Sequence, residues 1–362
     1  MDSESFSARL IAWQEQHGRH DLPWQNTTDP YRIWVSEIML QQTQVTAVIP
    51  FYQRFMARFP AIPALALAPV DEVMAHWSGL GYYARARNMH KTAQSLIAQN
   101  LAQLPTCPIE LEKLPGIGRS TAAAIAAFSS GHRAAILDGN VKRVLARHFA
   151  IQGFPGAKAI ENKMWVLAES LLPESKIQAY TQGLMDLGAT LCTRTRPKCV
   201  LCPLQETCEA LRLGMIEKYP EPRPSKPRFE RYARAWMIVR GPGSVAAENT
   251  IRSGPGAEEF LLELRPPSGI WGGLWCLPEN LCPELEANLL TDTETQLIEH
   301  SFTHFKLFLT IQKARCTALN KDHNLEISEP NQAPRKWFTL EKALESGLPA
   351  PLRKLLQGLK KN

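Results

Sequence analysis

The rhythm of apolar positions divides the chain. Over residues 1–217, Ala, Leu and Gln are frequent and apolar residues recur at helical spacing, as in YRIWVSEIMLQQTQVTAVI and STAAAIAAFSS, which predicts a mainly α region. One helix is expected to begin at Asp29, with Pro30 at its first position, and to stop only before Pro50. Beyond residue 230 the rhythm changes to short β-type runs, RAWMIVR, EFLLEL and KLFLTIQ, separated by Gly/Pro loops, which predicts a small α/β domain over 230–362. Between them KYPEPRPSKPR carries prolines at 220, 222, 224 and 227 and cannot be helical, so 218–229 is expected to be an extended linker. The stretch 241–257, GPGSVAAENTIRSGPGA, is expected to form a long mobile hairpin loop.

Bulk properties narrow the class only a little. At 362 residues the chain is long enough for two or three domains with real cores. Its 41 Lys and Arg against 35 Asp and Glu give a net charge of +6, an excess that favours polyanions if it is concentrated on one face. No apolar run spans a bilayer, and the opening MDSESFSARL is too polar for a signal peptide, so a soluble, cytoplasmic protein is expected.

Cysteine spacing is the sharpest chemical signal. Cys192, Cys199, Cys202 and Cys208 follow C-x6-C-x2-C-x5-C, while Cys107, Cys276, Cys282 and Cys316 are scattered singly. Four thiolates so close in sequence suit a 4Fe-4S cube or tetrahedral zinc. Zinc sites more often use two short knuckles far apart, and only Cys199 and Cys202 form one here. The spacing favours the cluster and leaves zinc and a disulfide pair of pairs open.

Three further segments carry candidate chemistry. In LEKLPGIGRSTAAAIAAF, residues 111–128, a helix is expected to end at Leu114, Gly116 and Gly118 allow a tight reversal, and a second helix begins near Ser120. Such a turn offers free amides to a phosphate, or is an ordinary helix turn. In ILDGNVKRVLARHF, Asp138 is placed to cap a helix through the amides of Asn140 and Val141. That setting favours a carboxylate that stays anionic and can face a cationic transition state. Glu37 shares a helix face with Ile33, Trp34, Leu40, Gln41 and Gln44, and burial there would keep it protonated near neutrality.

Taken together, QQTQ after Glu37, GLGYYARARN at 79–88, LPGIGRST at 114–121, ILDGNVKRV and the four-cysteine run resemble the helix-hairpin-helix iron-sulfur DNA glycosylases, and within them the MutY-type adenine glycosylases, in the family's order. The resemblance implies a six-helix domain over 25–133, an iron-sulfur helical domain made of 1–24 with 134–217, and one 4Fe-4S cluster. It implies Glu37 and Asp138 as the catalytic pair, with Gln42 and Tyr82 filling or wedging the duplex and Gly116, Gly118, Ser120 and Lys142 on the DNA. Without that resemblance Gln42 reads as an exposed helix residue and Tyr82 as a core aromatic. Endonuclease III is the nearest rival. Its lysine nucleophile stands where this chain has Ser120, so little lyase activity is expected.

The C-terminal segment RPPSGIWGGLWCLPE, 265–279, resembles the start of a Nudix domain. The next residues, NLCPELEANLLTDTETQ, do not reproduce the glutamate-rich magnesium helix, so a silent Nudix-like recognition module is expected rather than a pyrophosphatase. HSFTHFKL, 300–307, resembles the family's 8-oxoguanine loop, with Thr303 for the usual serine, His304 retained and Lys306 for a histidine. The resemblance therefore implies removal of adenine opposite 8-oxoguanine or guanine in double-stranded DNA, by a monomer serving the nucleoid.

Overall fold

The computed structural model describes residues 3–224, 227, 229–241, 258–302, 304–316 and 333–359. Most of the 241–257 stretch and Thr303 lie outside the described residues. The chain forms two compact units, Met1–Leu67 with Asn88–Ser225, and Ala68–Arg87 with Lys226–Asn362. Ala68–Arg87, which the apolar rhythm placed with the helical region, is gathered into the second unit because Ser78 Oγ donates to the carbonyl of Leu348 at 2.7 Å and Arg87 to that of Gly272.

Helices dominate up to residue 212: α1 Ser3–His17, α2 Pro30–Leu40, α3 Val45–Arg58, α4 Ile62–Leu67, α5 Val70–Trp77, α6 Ala84–Ala98, α7 Pro108–Leu111, α8 Arg119–Ser130, α9 Gly139–His148, α10 Lys158–Ser170, α11 Ile177–Asp186 and α12 Glu209–Arg212. In the first unit Leu10 of α1, Ala123 and Ala127 of α8, Val141 and Leu145 of α9, Met164 of α10 and Leu184 of α11 share one core. The small Gly183 lets α1 lie close on α11, since a Cβ there would stand 3.0 Å from Leu10 Cγ. Arg19 and Asp186 lock the exit of α1 to the end of α11 through Arg19 Nε at 2.7 Å, around a carboxylate with 1% side-chain exposure.

Two sequence expectations change here. The helix from Asp29 ends at Leu40 rather than running to Pro50, and Pro50 lies inside α3. Gln41 leaves the helical region at ψ 113° and Gln42 takes a left-handed φ of 56°, so QQTQ turns the chain and lets α3 fold back on α2. QQTQ has no Gly or Pro to mark the turn, and apolar residues resume helical spacing only from Val45. The linker is not free from its start either, because Tyr219 is buried.

The second unit holds a mixed sheet of β1 Phe229–Arg240, β2 Glu259–Leu264, β3 Trp275–Cys276, β4 Leu289–Ser301, β5 Phe305–Cys316 and β6 Arg335–Thr339. Its order is β3-β2-β1-β5-β4, with β6 also on β2; β1 and β5 run parallel and the other pairs antiparallel. Alternate residues Leu307, Leu309 and Ile311 bury one face under Ala343 of α14 Leu340–Glu345 and Leu352 and Leu356 of α15 Ala350–Leu359. On the opposite face Leu285, from the single-turn α13 Pro283–Glu286, meets Ile238 and Ala314. Among the described residues no helix is long and apolar enough to cross a membrane.

Candidate active site

A cleft of about 1480 Å³ opens on the first unit, and Glu37, Gln41, Gln42, Ser120, Asp138 and Arg143 are among the residues that line it. The sequence separates the two carboxyls by a hundred residues; the fold brings them to one cavity. Glu37 is placed by α2, whose first turn is fixed by Pro30 and by Asp29 accepting the Tyr31 amide at 2.9 Å. Protein surrounds the Glu37 carboxyl except toward the cleft, and that burial, followed by the charge of Asp138, pushes its pKa up to about 8.

Asp138 caps α9, its Oδ1 accepting the Val141 amide at 2.8 Å. Burial raises its pKa above the usual carboxylate value, against the sequence expectation of a freely anionic group, while the Val141 and Asn140 amides and the Arg143 and Lys142 charges pull it back. Every cause acting on Glu37 favours the neutral acid, whereas Asp138 has donors and cations to hold its anion. Two carboxyls in one cleft are thus driven toward different protonation states.

The turn before α8 supports this arrangement. Gly116 has φ 80°, and a Cβ on it would lie 2.8 Å from Asn88 Cβ, so a side chain is excluded both by backbone and by space. Gly118 differs from expectation: it sits in ordinary extended backbone at φ −93°, and a Cβ there would meet nothing within 4 Å. Its role is open approach, not reversal. Ser120 turns its hydroxyl inward, accepting the Leu137 amide at 3.0 Å just before Asp138, and Thr121 accepts from Gln41 Nε2 at 3.2 Å. Lys142 does not line the cleft; its ammonium pairs with Glu161 at 2.6 Å.

Gln42 is exposed at the cleft rim in its left-handed turn, not on a helix. Tyr82, in the second unit, is 48% exposed with φ 50°, which removes the core-aromatic reading. The Arg85 guanidinium lies 5.3 Å from the Tyr82 ring, and Gly81, whose carbonyl accepts Trp77 Nε1 at 3.0 Å, precedes it. Between β4 and β5, Phe302 stacks on Phe305 at 4.5 Å and His300 meets Phe302 edge-on at 4.7 Å; His304 stands just before β5.

The cysteine run begins where α11 widens into a π-helical turn over Leu187–Leu191, and short 3-10 turns carry Cys199 and precede Cys208. All four cysteines are half-buried free thiols. Burial and one another's charges raise the pKa of Cys199, Cys202 and Cys208, Cys202 to about 12, so the four sulfurs share one locality. Among the described residues no group of three or more His, Cys, Asp or Glu side chains is gathered tightly enough to hold a metal ion. Arg194, Arg196 and Lys198 are exposed on the same loop, and Arg194 reaches the cleft lining.

Residues that sequence reasoning passed over join this loop to α9. Arg143 donates from Nε to the Cys192 carbonyl and from Nη2 to Asn140 Oδ1 and the Gly188 carbonyl, each at 2.7 Å. Gly188 is needed for this contact, since a Cβ there would lie 2.6 Å from Asn140 Cβ. The signal was present: Arg143 and Arg147 stand four apart on α9, beside its apolar residues Val144, Leu145 and Ala146.

Comparison with known proteins places this architecture. Residues 35–170 match the family described as HhH-GPD superfamily base excision DNA repair protein, and residues 252–358 match the NUDIX domain. A thermostable thymine-DNA glycosylase is 28% identical with a TM-score of 0.53, covering 58% of this chain and 97% of its own. Endonuclease III in a non-covalent DNA complex shares the fold, with a TM-score of 0.50 at 21% identity over 59% of this chain and 99% of its own. The family match and the shared fold thus place the chain in the class of base excision repair DNA glycosylases. Adenine DNA glycosylases from Buchnera aphidicola subsp. Schizaphis graminum and from Homo sapiens are 35% and 34% identical, over 97% and 76% of this chain and 98% and 57% of their own lengths. The chain belongs to the adenine DNA glycosylase family.

Proposed function

We propose that this protein removes adenine from double-stranded DNA where it stands opposite 8-oxoguanine or guanine. The observation that carries the reading is the pairing of Glu37 and Asp138 in one cleft with opposed environments. The adenine is flipped out of the stack, most readily where its pair is already mismatched. Glu37, protonated, donates to adenine N7 and makes the base a better leaving group; Asp138, ionised, stabilises the oxocarbenium-like sugar. Gln42 and Tyr82 enter the duplex, and Gly116, Gly118 and Ser120 bring backbone amides to a phosphate.

No amine stands at Ser120, so the enzyme is monofunctional. Lys142 is held by Glu161 and is not a nucleophile. The C-terminal unit acts as a recognition module: where a magnesium-binding Nudix helix would stand, the chain makes the single turn of α13 and then β4. His304, between β4 and β5, would meet the 8-oxoguanine, together with Thr303 of the same sequence segment.

The donor set fits a 4Fe-4S cluster, since Cys192, Cys199, Cys202 and Cys208 supply four thiols within electrostatic reach of one another on a single loop. When bound, the cluster would supply folding energy by taking up the four thiols as thiolate ligands. The loop so fixed presents Arg194, Arg196 and Lys198 to the DNA backbone. The protein works as a monomer in the cytoplasm, on the nucleoid.

The test is adenine release from duplexes carrying A opposite 8-oxoguanine, G or T at one salt concentration, with nicking scored before and after alkali. Release from the first duplex, with nicks only after alkali, is expected. Nicking of oxidised pyrimidines without adenine release would replace this reading with that of an endonuclease III.

A further inference from the structure

The proposed reaction uses α9 only at its first turn, through Asp138. Its last turn carries Arg147, a guanidinium buried at 3% exposure. Nε donates to the Tyr219 carbonyl at 2.9 Å, Nη1 to the Thr193 carbonyl at 2.7 Å, and Nη2 to the Arg194 carbonyl at 3.2 Å. Nη1 also reaches Cys192 Sγ at 3.5 Å, and the Arg147 carbonyl in turn accepts from Cys208 Sγ at 3.7 Å. One residue thereby touches the first and last thiols of the run, the carbonyls of the two residues after the first, and the carbonyl where the chain leaves toward the linker.

The acceptors of this cation are three carbonyls and a sulfur. A buried charge held without an opposite charge is costly, and the carbonyl contacts alone do not neutralise it. A thiolate at Cys192 does. We infer that Arg147 is a positioning residue for the cluster, supplying both the countercharge and a hydrogen bond to the Cys192 thiolate, so that it sets the cluster's reduction potential and its retention. This rests on the 4Fe-4S assignment made above. A donor and a positive charge beside a ligand sulfur stabilise the reduced, more negative cluster and raise its potential. The same fork pins Thr193 and Arg194, and with them the edge of the cleft that Arg194 lines.

The experiment uses the full-length holoprotein and its Arg147→Met and Arg147→Lys variants. Iron content and the visible spectrum of the wild type come first; absence of iron there would overturn the cluster assignment, and this inference with it, before any variant is made. The midpoint potential is then measured by redox titration, and iron loss to a strong chelator is timed at fixed salt. Arg147→Met is expected to shift the potential to more negative values and to speed iron loss about tenfold or more. Arg147→Lys keeps the charge but cannot span four acceptors, so it is expected to recover most of the potential while iron loss stays fast. If Arg147→Met does not fold, the lysine variant decides alone. A wild-type potential together with wild-type iron loss in either folded variant would overturn the proposal.

Discussion

Arg143 donates its Nε to the carbonyl of Cys192 at 2.7 Å, which joins the helix that Asp138 caps to the first cysteine of the C-x6-C-x2-C-x5-C run. Through Nη2 the same side chain holds Asn140, two residues past Asp138, and Gly188 of the π turn. The cysteine loop and the Asp138 carboxylate therefore share one link. Arg143→Met should strand these acceptors and lower stability by about 2 to 3 kcal/mol. Base release should fall at least about tenfold, an activation change of about 1.4 kcal/mol, with duplex binding less affected. Single-turnover kinetics alongside a binding titration would check it; unchanged release in a folded variant would break the link.

The pH dependence follows from Glu37. Its pKa, about 8, lies above the ordinary carboxyl value of 4.5, so the acid form persists through neutrality and adenine release should decline as pH rises past about 8. The sign for stability is the same: the folded state keeps a proton that the unfolded chain has lost, so stability is fully present below the unfolded pKa and falls as pH rises toward the folded one. The slope is about 1.4 kcal/mol for each pH unit inside that window. Glu37→Gln should abolish base release, leave duplex binding measurable, and unfold at a temperature that depends less on pH between 5 and 8 than that of the wild type. An equal pH slope in both proteins would refute the assignment of Glu37 as the buried acid.

Gly116 and Gly118 should respond differently to the same change. Gly116→Ala places a Cβ at φ 80° and against Asn88, and should cost about 1 to 3 kcal/mol of stability. Gly118→Ala meets open space at φ −93° and should leave the melting temperature nearly unchanged. If the hairpin meets a phosphate as proposed, it should instead weaken duplex affinity, because its methyl would crowd the approach to the α8 amides. Thermal unfolding and duplex titration of the two variants separate packing from contact.

Ser120 has a structural duty that its position in the hairpin does not announce. Ser120→Ala removes the acceptor of the Leu137 amide, leaves that amide buried without a partner, and should cost about 1 to 3 kcal/mol. Because Leu137 immediately precedes Asp138, base release should fall as well. Chemical denaturation with parallel rate measurement tests both effects.

Several of these relationships were legible in the sequence and several were not. Asp29 and Asp138 read as helix caps because a short acidic side chain before a periodic apolar run has one favourable use for its oxygen, and both accept the amide such a cap requires. KLFLTIQ read as a β-type run, and its alternate residues Leu307, Leu309 and Ile311 bury one face of β5, as a period of two requires. The helix end at Leu40 was not legible, since QQTQ carries no Gly or Pro to mark a stop and helical spacing resumes at Val45, and neither was the place of Pro50 inside α3.

What the sequence by itself determined about this protein is its local chemistry: which residues cap, turn, alternate and carry thiols or carboxyls, all set by neighbours a few positions away. Tertiary structure alone decided that Glu37 and Asp138 face one cleft, that burial also lifts the pKa of Asp138 while the Asp138 charge lifts that of Glu37 further, and that Lys142 is spent on Glu161. It alone gave Arg143 and Arg147 their partners around the cysteine loop. Desolvation, charge coupling and long-range hydrogen bonds depend on what is brought near in space, and no spacing along the chain encodes that.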